Sequence, residues 1–225
     1  MLNAVLFDFD GTLVDTTELI YQSLRHAANE VLGHEPPRET LMANVGQPLP
    51  DQMAALVEKE VDGSPDKDRL AEKLLKSYRL HNEEHHETLI RKFPDVEKSL
   101  SRLKQTGAKI AVVTSKRRRS VEMAIETFPE LGRVTDHFVT MEDTEEHKPK
   151  PAPLLKGLEL LGDIPLPEAA YVGDSPHDVE AARAAGLTSV GVSWGAFSEQ
   201  DLRAAEPDHL VEDLDAAVDV LLKEF

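Results

Sequence analysis

The chain has 225 residues, no cysteine and a formal net charge of −17 at neutral pH. The missing cysteines exclude a disulfide framework, a thiolate zinc site and a cysteine nucleophile. So acidic a chain repels nucleic-acid phosphates and anionic lipid, which removes both as expected partners, and any small-anion site must supply its own cations or amide dipoles. The length allows one large domain, or one domain carrying an insertion. No run of about 18 apolar residues is present, so no transmembrane helix is expected. Met1-Leu2-Asn3 lacks the basic start of a signal peptide, and a cytoplasmic protein is expected.

Ala4-Val5-Leu6-Phe7 has the length and residue types of a buried strand. It runs into Asp8-Phe9-Asp10-Gly11-Thr12. Residues i and i+2 of a strand point to one side, so Asp8 and Asp10 face a common space. Two carboxylates at the tip of a buried strand need compensation, and a bound cation is the usual one. Gly11 lets the backbone turn tightly beside a ligand.

From 16 to 92 the sequence shows no convincing strand. Helices are expected near 17–32, 39–44, 49–60 and 66–87, with turns at Pro36-Pro37, Gly63-Ser64-Pro65 and Pro94. A helical insertion after the first strand is the simplest account, and it is expected to act as a lid. On its last helix Tyr78, Asn82 and His86 recur at i, i+4 and i+8, with Arg79 beside Tyr78. That spacing makes either a hydrogen-bonding stripe with a cation, or an ordinary solvated face. His81 and His85 share the i, i+4 spacing without a third ligand in view. Gly46, in Val45-Gly46-Gln47-Pro48, permits close approach to a ligand or simply a turn.

Beyond the insertion, strands are expected at 109–114, 137–140, 169–172, 189–192 and 209–211. Helices are expected at 96–105, 121–127, 152–161, 177–185 and 214–222. Alternation of this kind implies an α/β fold, a parallel sheet covered by helices on both faces. Ligands bind beyond the carboxyl ends of such strands. Asp8, Thr114 and Gly173-Asp174 all lie at those ends. Asp178 follows Asp174 by about one helical turn, and four carboxylates suit a hard cation such as Mg²⁺. Thr114 and Ser115, read as a helix N-terminus, suit phosphate oxygens, or serve as a plain cap. Lys148, followed by Pro149, is a fixed cation able to hold phosphate and nucleophile charge together. In the run Lys116-Arg117-Arg118-Arg119, Lys116 has the best claim to a functional role.

Asp8-x-Asp10-Gly11-Thr12, Thr114, Lys148 and Gly173-Asp174-x-x-x-Asp178, in that order, resemble the haloacid dehalogenase superfamily of phosphatases. The chain looks closest to its phosphoglycolate phosphatase-like group, which includes a pyrophosphatase branch. The stripe on the last insertion helix and Trp194 add to that likeness. The resemblance implies a Rossmann-like core at 1–15 and 93–225 and a small all-helical cap at 16–92. It implies that Asp8 is the nucleophile and a Mg²⁺ ligand. Asp10 would be the acid–base, lending the metal its carbonyl. Asp174 would be a further ligand, with Asp178 holding a metal-bound water or Lys148. Thr114, Ser115 and Lys116 would bind substrate in the core, and Gly46, Tyr78, Arg79, Asn82 and His86 in the cap. The expected substrate is a small phosphorylated molecule, pyrophosphate or a phosphomonoester such as phosphoglycolate, handled by a monomer or homodimer. A phosphomutase of the β-phosphoglucomutase type is the nearest alternative. A dehalogenase or phosphonatase fits the second carboxylate poorly, and a non-catalytic binding protein would be expected to lack one of the four elements.

Overall fold

A computed structural model describes residues 1–63 and 65–225. The turn expected at Gly63-Ser64-Pro65 includes Ser64, which lies outside the described residues. The chain divides into two compact units, one of 1–15 and 91–225 and the other of 16–90.

The first unit is built on a six-stranded parallel sheet in the order β5-β4-β1-β6-β7-β8. The strands are β1 (Ala4–Phe7), β4 (Lys109–Val113), β5 (His137–Val139), β6 (Ala169–Gly173), β7 (Thr188–Val192) and β8 (His209–Val211). The expected α/β class is therefore borne out. β1 lies at the centre because all four of its residues are apolar and fully buried. Its alternate side chains feed two cores. Ala4 and Leu6 join Leu154 and Leu158 of α8 (Ala152–Leu160) and Ala181 and Ala182 of α9 (Pro176–Ala185). Across the sheet lie α5 (Val96–Gln105) and α11 (Leu214–Glu224), which pack on one another. Asp215 fastens that pair, accepting from Lys98, Ser99 and Arg102.

Strand order decides where the site can form. The chain leaves β1, places β4 and β5 on one side, then returns through α8 to place β6 on the other. That reversal opens a crevice at the carboxyl end of β1. Phe7 is in register with Val112 of β4 and with Val172 of β6. Asp8, Thr114 and Asp174 therefore emerge from three neighbouring strands at nearly one level.

Four short elements escaped the sequence reading. β2 (Val14–Asp15) and β3 (Arg91–Lys92) form a two-residue antiparallel ribbon where the chain leaves and re-enters this unit. The stretch 16–92 thus does contain strand residues, at its very end. Helices α7 (Pro129–Val134) and α10 (Glu199–Ala204) have six residues each, too few to show a period. The remaining helix here is α6 (Arg118–Thr127).

The second unit is helical: α1 (Thr17–Leu32), α2 (Arg38–Met42), α3 (Leu49–Glu60) and α4 (Lys67–Leu89). α4 packs on both α1 and α3. Its core combines Leu24, Ala28, Met53, Leu56, Leu74 and Tyr78. Tyr78, Asn82 and His86 are all buried, so the stripe is not a solvated face. Asn82 Nδ2 donates to the Tyr78 hydroxyl at 3.3 Å and lies 3.5 Å from Ser23 Oγ on α1. His81 does gain imidazole neighbours, stacking between His26 and His85. Among the described residues, however, the one group of three or more metal-type ligands that converges is Asp8, Asp174 and Asp178.

Candidate active site

Four buried charged side chains meet at the end of β1. Lys148 Nζ donates to Asp8 Oδ1 at 2.8 Å, to Asp178 Oδ1 at 2.7 Å and to the Tyr171 hydroxyl at 2.9 Å. An ammonium has three donors, and these three acceptors use them all. Local structure explains each position. Ser175 caps α9 and accepts from the Asp178 amide, while Asp178 Oδ2 accepts from the Ser175 amide and hydroxyl. This capping box fixes Asp178 by one oxygen and leaves the other for Lys148 and Tyr171. The expected helix start at Ser175 is thus met by its side chain.

The unspent oxygens follow from this count. Each oxygen of Asp178 already accepts two bonds. Asp174 Oδ2 accepts from the Ala196 amide at 2.8 Å. Among the described residues Asp8 Oδ2 and Asp174 Oδ1 have no hydrogen-bond partner. Ligand atoms of Asp8, Asp174 and Asp178 lie within 4.8 Å of one another. Three carboxylates with one ammonium leave negative charge uncompensated in a buried space, and that fits a divalent cation held by hard oxygens. Asp8 and Asp174 have the oxygens to hold it. Asp178, saturated by hydrogen bonds, holds Lys148 instead.

The protonation pattern carries the same message. Burial pushes the Asp8 carboxyl up to about 7 against the pull of Lys148, with Asp178 and Asp10 adding to the rise. Burial, then the charges of Asp8 and Asp178, push Asp174 well above the ordinary carboxylate range. Asp178 alone of the three is lowered. Burial works against it, but Lys148 and the Ser175 bonds together outweigh that cost. Without a cation, the fold cannot readily keep all three ionised.

Asp10 takes a different partner. Both its oxygens accept from Lys116 Nζ, at 2.8 and 2.9 Å. The basic run therefore splits by role. Lys116 turns inward, Arg118 pairs with Asp143, and exposed Arg119 pairs with Glu122 and Glu126. Thr114 and Ser115 do not open a helix, as α6 starts only at Arg118; they form a turn instead. In that turn the Lys116 amide donates to Thr114 Oγ1 at 3.1 Å. The Thr114 hydroxyl keeps its own proton for a ligand. Ser115 Oγ is buried without a hydrogen-bond partner among the described residues.

The structure thus brings Asp8, Asp10, Thr114, Ser115, Lys116, Lys148, Asp174 and Asp178 together at the carboxyl end of the central strands. Gly46, Tyr78, Arg79, Asn82 and His86 belong to the helical unit. Gly46 has φ +98, a conformation that favours glycine. Lys150 is exposed.

Four residues contribute that the sequence reading gave no structural role. The Tyr171 hydroxyl lies 2.9 Å from Lys148 Nζ, 3.0 Å from Asp178 Oδ1 and 3.0 Å from the Val113 carbonyl, joining β6 to the end of β4. Gly195 and Ala196, after β7, hold Asp174. Trp194, noted only as a likeness, donates its indole N–H to the Thr12 carbonyl at 3.2 Å and sets its ring edge against Phe93. Replacing Tyr171 by Phe leaves Lys148 with a buried, unmade bond. It should lower kcat about tenfold with little change in KM, since a hydrogen bond to a charged group is worth roughly 1.5–3 kcal/mol. A steady-state comparison checks this, and an unchanged kcat would remove Tyr171 from any role in positioning Lys148.

The sequence profile of the haloacid dehalogenase-like hydrolases matches residues 5–192. The chain belongs to that family. This hydrolase is 35% identical over 220 residues to the pyrophosphatase PpaX of Bacillus cereus (strain AH820), covering 98% of this chain and 96% of that one. Among solved structures, a predicted phosphatase from Clostridium acetobutylicum superposes with a TM-score of 0.84 at 26% identity, covering 99% of both chains. A predicted phosphoglycolate phosphatase from Haemophilus somnus 129pt superposes with a TM-score of 0.86 at 23% identity, covering 97% of both chains, and shares the fold. The family makes the chain an enzyme of phosphatase type, and its buried acidic triad suits the divalent metal typical of such phosphatases. Among the described residues no helix is long and apolar enough to cross a membrane.

Proposed function

We propose that this chain is a Mg²⁺-dependent phosphohydrolase that works through an aspartyl-phosphate on Asp8, with inorganic pyrophosphate as its substrate. The observation that carries the reading is the buried Asp8 carboxylate. It is held at one oxygen by Lys148, open at the other, and accompanied by the open oxygen of Asp174. The name carried by the Bacillus cereus relative favours pyrophosphate over phosphoglycolate.

Asp8 and Asp174 would hold the cation, which supplies charge neutralisation for the phosphoryl oxygens. The chain's own residues do the rest. Asp8 attacks phosphorus, and the bond to the leaving oxygen breaks. Asp10 gives that oxygen a proton. Asp10 then takes a proton from the water that attacks the aspartyl-phosphate, freeing orthophosphate and regenerating Asp8. Thr114 donates its hydroxyl proton to a phosphoryl oxygen, beside Ser115. Lys148 holds Asp8 in line and offsets its charge, and Asp178 and Tyr171 fix Lys148. The helical unit serves as the cap, with Gly46, Tyr78, Arg79, Asn82 and His86 contacting substrate.

The test is a panel of phosphate compounds compared by kcat/KM, run with Mg²⁺, with EDTA, and with Mg²⁺ restored. Pyrophosphate should lead the panel, EDTA should stop turnover, and Mg²⁺ should return it. A phosphomonoester at the head of the panel would replace the substrate, while metal-independent turnover would overturn the chemistry.

A further inference from the structure

We propose that Trp194 is a positioning residue, which fixes the turn bearing Asp10 against the loop that holds Asp174. It acts through one hydrogen bond, from its indole N–H to the Thr12 carbonyl. This rests on the proposed phosphohydrolase reading for one point only, that Asp174 holds the cation.

Two backbone segments face each other across the Asp174 carboxylate, and the indole joins them. Trp194 Nε1 donates to the Thr12 carbonyl at 3.2 Å. Two residues further along the same loop, the Ala196 amide donates to Asp174 Oδ2 at 2.8 Å. Gly195 between them and Gly11 beside Thr12 both abut that oxygen. Each segment is stiff by itself. The Gly11 amide donates to the Val14 carbonyl at 2.9 Å, and the Leu13 and Val14 amides both donate to the Phe9 carbonyl at 3.0 Å. Asp10 sits inside this knot, so its carboxylate moves with the Thr12 carbonyl. The Ser193 amide donates to the Val211 carbonyl at 3.0 Å and ties the start of the other segment to β8. Between two stiff pieces a single tie sets the spacing.

The demand for this bond comes from Thr12. Trp194 is half-buried, but Thr12 is fully buried, and among the described residues its carbonyl accepts from no other donor. Deleting the indole N–H leaves that carbonyl unmet, a cost the turn relieves by shifting. Asp10 then moves on one side of the carboxylate and the Ala196 amide is released on the other. Phe93 aims the indole. Its ring meets the indole edge-on, with centroids 6.2 Å apart and planes at 67°, and its amide donates to the Leu13 carbonyl at 3.2 Å. The aromatic pair therefore grips the turn at two successive carbonyls, Thr12 through Trp194 and Leu13 through Phe93. Trp194 touches no carboxylate by this bond, so its effect on Asp10 and Asp174 passes through the two backbones.

Trp194 is the single tryptophan of the chain, so biosynthetic incorporation of 3-benzothienylalanine, in which sulfur replaces the indole N–H, changes this residue alone. The full chain, its sulfur analogue and Trp194→Phe are compared by amide hydrogen exchange without metal and by calorimetric titration of Mg²⁺. The analogue should exchange the Ala196 amide about tenfold faster and bind Mg²⁺ about tenfold more weakly, while the Ser193 amide keeps its parental rate. Trp194→Phe, which loses the N–H and part of the ring, should lose at least as much. Parental exchange at Ala196, equal acceleration at Ser193, or parental Mg²⁺ affinity in the analogue would each overturn the positioning role. A parent chain that binds no Mg²⁺ would overturn the phosphohydrolase reading alone, because exchange at Ala196 is read without metal and still decides the tie.

Discussion

Asp8→Asn should abolish turnover, by about a thousandfold or more, while leaving the fold intact. The amide keeps the size of the carboxylate but is a poor nucleophile and a poor cation ligand. It still offers Lys148 a carbonyl oxygen in place of the 2.8 Å bond seen here. Burial already raises the Asp8 carboxyl, so a neutral side chain at this position relieves repulsion from Asp178 and Asp10. The variant should melt at the same temperature as the parent or slightly above it, and an inactive variant of unchanged stability separates a chemical role from a structural one. Phosphoryl-enzyme trapping gives a second readout: acid-quenched parent should retain label from a labelled substrate, and Asp8→Asn should retain none. Full activity in Asp8→Asn would sink the covalent mechanism. Asp10→Asn differs, because loss of the acid–base group slows both steps without removing the nucleophile, so some label should persist.

How much of this could be read in advance depends on the range over which each residue's surroundings are set. The tip of β1 was legible because strand geometry alone puts Asp8 and Asp10 on one side, and the apolar run before them is local. Asp178 was legible because one helical turn fixes its distance from Asp174. The division of labour among the acids was not. That Asp178 has no oxygen to spare, and that Asp8 and Asp174 each have one, follows from Ser175, Tyr171, Lys148 and Ala196 converging from separate parts of the chain. Tyr171 looked like an ordinary strand residue, since half-buried strands favour aromatic side chains for packing alone. Lys116 was legible only as the first member of a basic run, where charge composition cannot distinguish a side chain aimed inward from the exposed Arg118 and Arg119 beside it. The ribbon of β2 and β3 is two residues long, and two residues have no period.

Gly195→Ala should reproduce most of the loss expected of Asp174→Asn, although residue 195 carries no functional group. A Cβ there would sit 2.1 Å from Asp174 Oδ2, and one at Gly11 would sit 2.2 Å from the same oxygen. The Asp174 carboxylate is therefore held between two backbones that approach it closely, and neither side can give without moving the oxygen. Gly11 is doubly constrained, since its φ of +79 favours glycine in any surroundings. Gly195 has no such backbone constraint, so it isolates the steric effect. The added methyl must displace the Asp174 side chain or the loop that brings the Ala196 amide to Oδ2. Either movement carries Asp174 Oδ1 away from Asp8, and a misplacement of about 1 Å at a reacting centre can cost roughly a hundredfold in rate. Gly195→Ala should therefore lower kcat by about that factor and weaken Mg²⁺ binding in a calorimetric titration. Its fold should survive, because Gly195 lies outside the regular elements that build the core. Gly195→Ala with parental Mg²⁺ affinity would show that the loop relaxes around the methyl group and that Asp174 is not held by this contact. If Mg²⁺ affinity falls while kcat at saturating Mg²⁺ stays at the parental level, Asp174 holds the cation but does not set its position against Asp8.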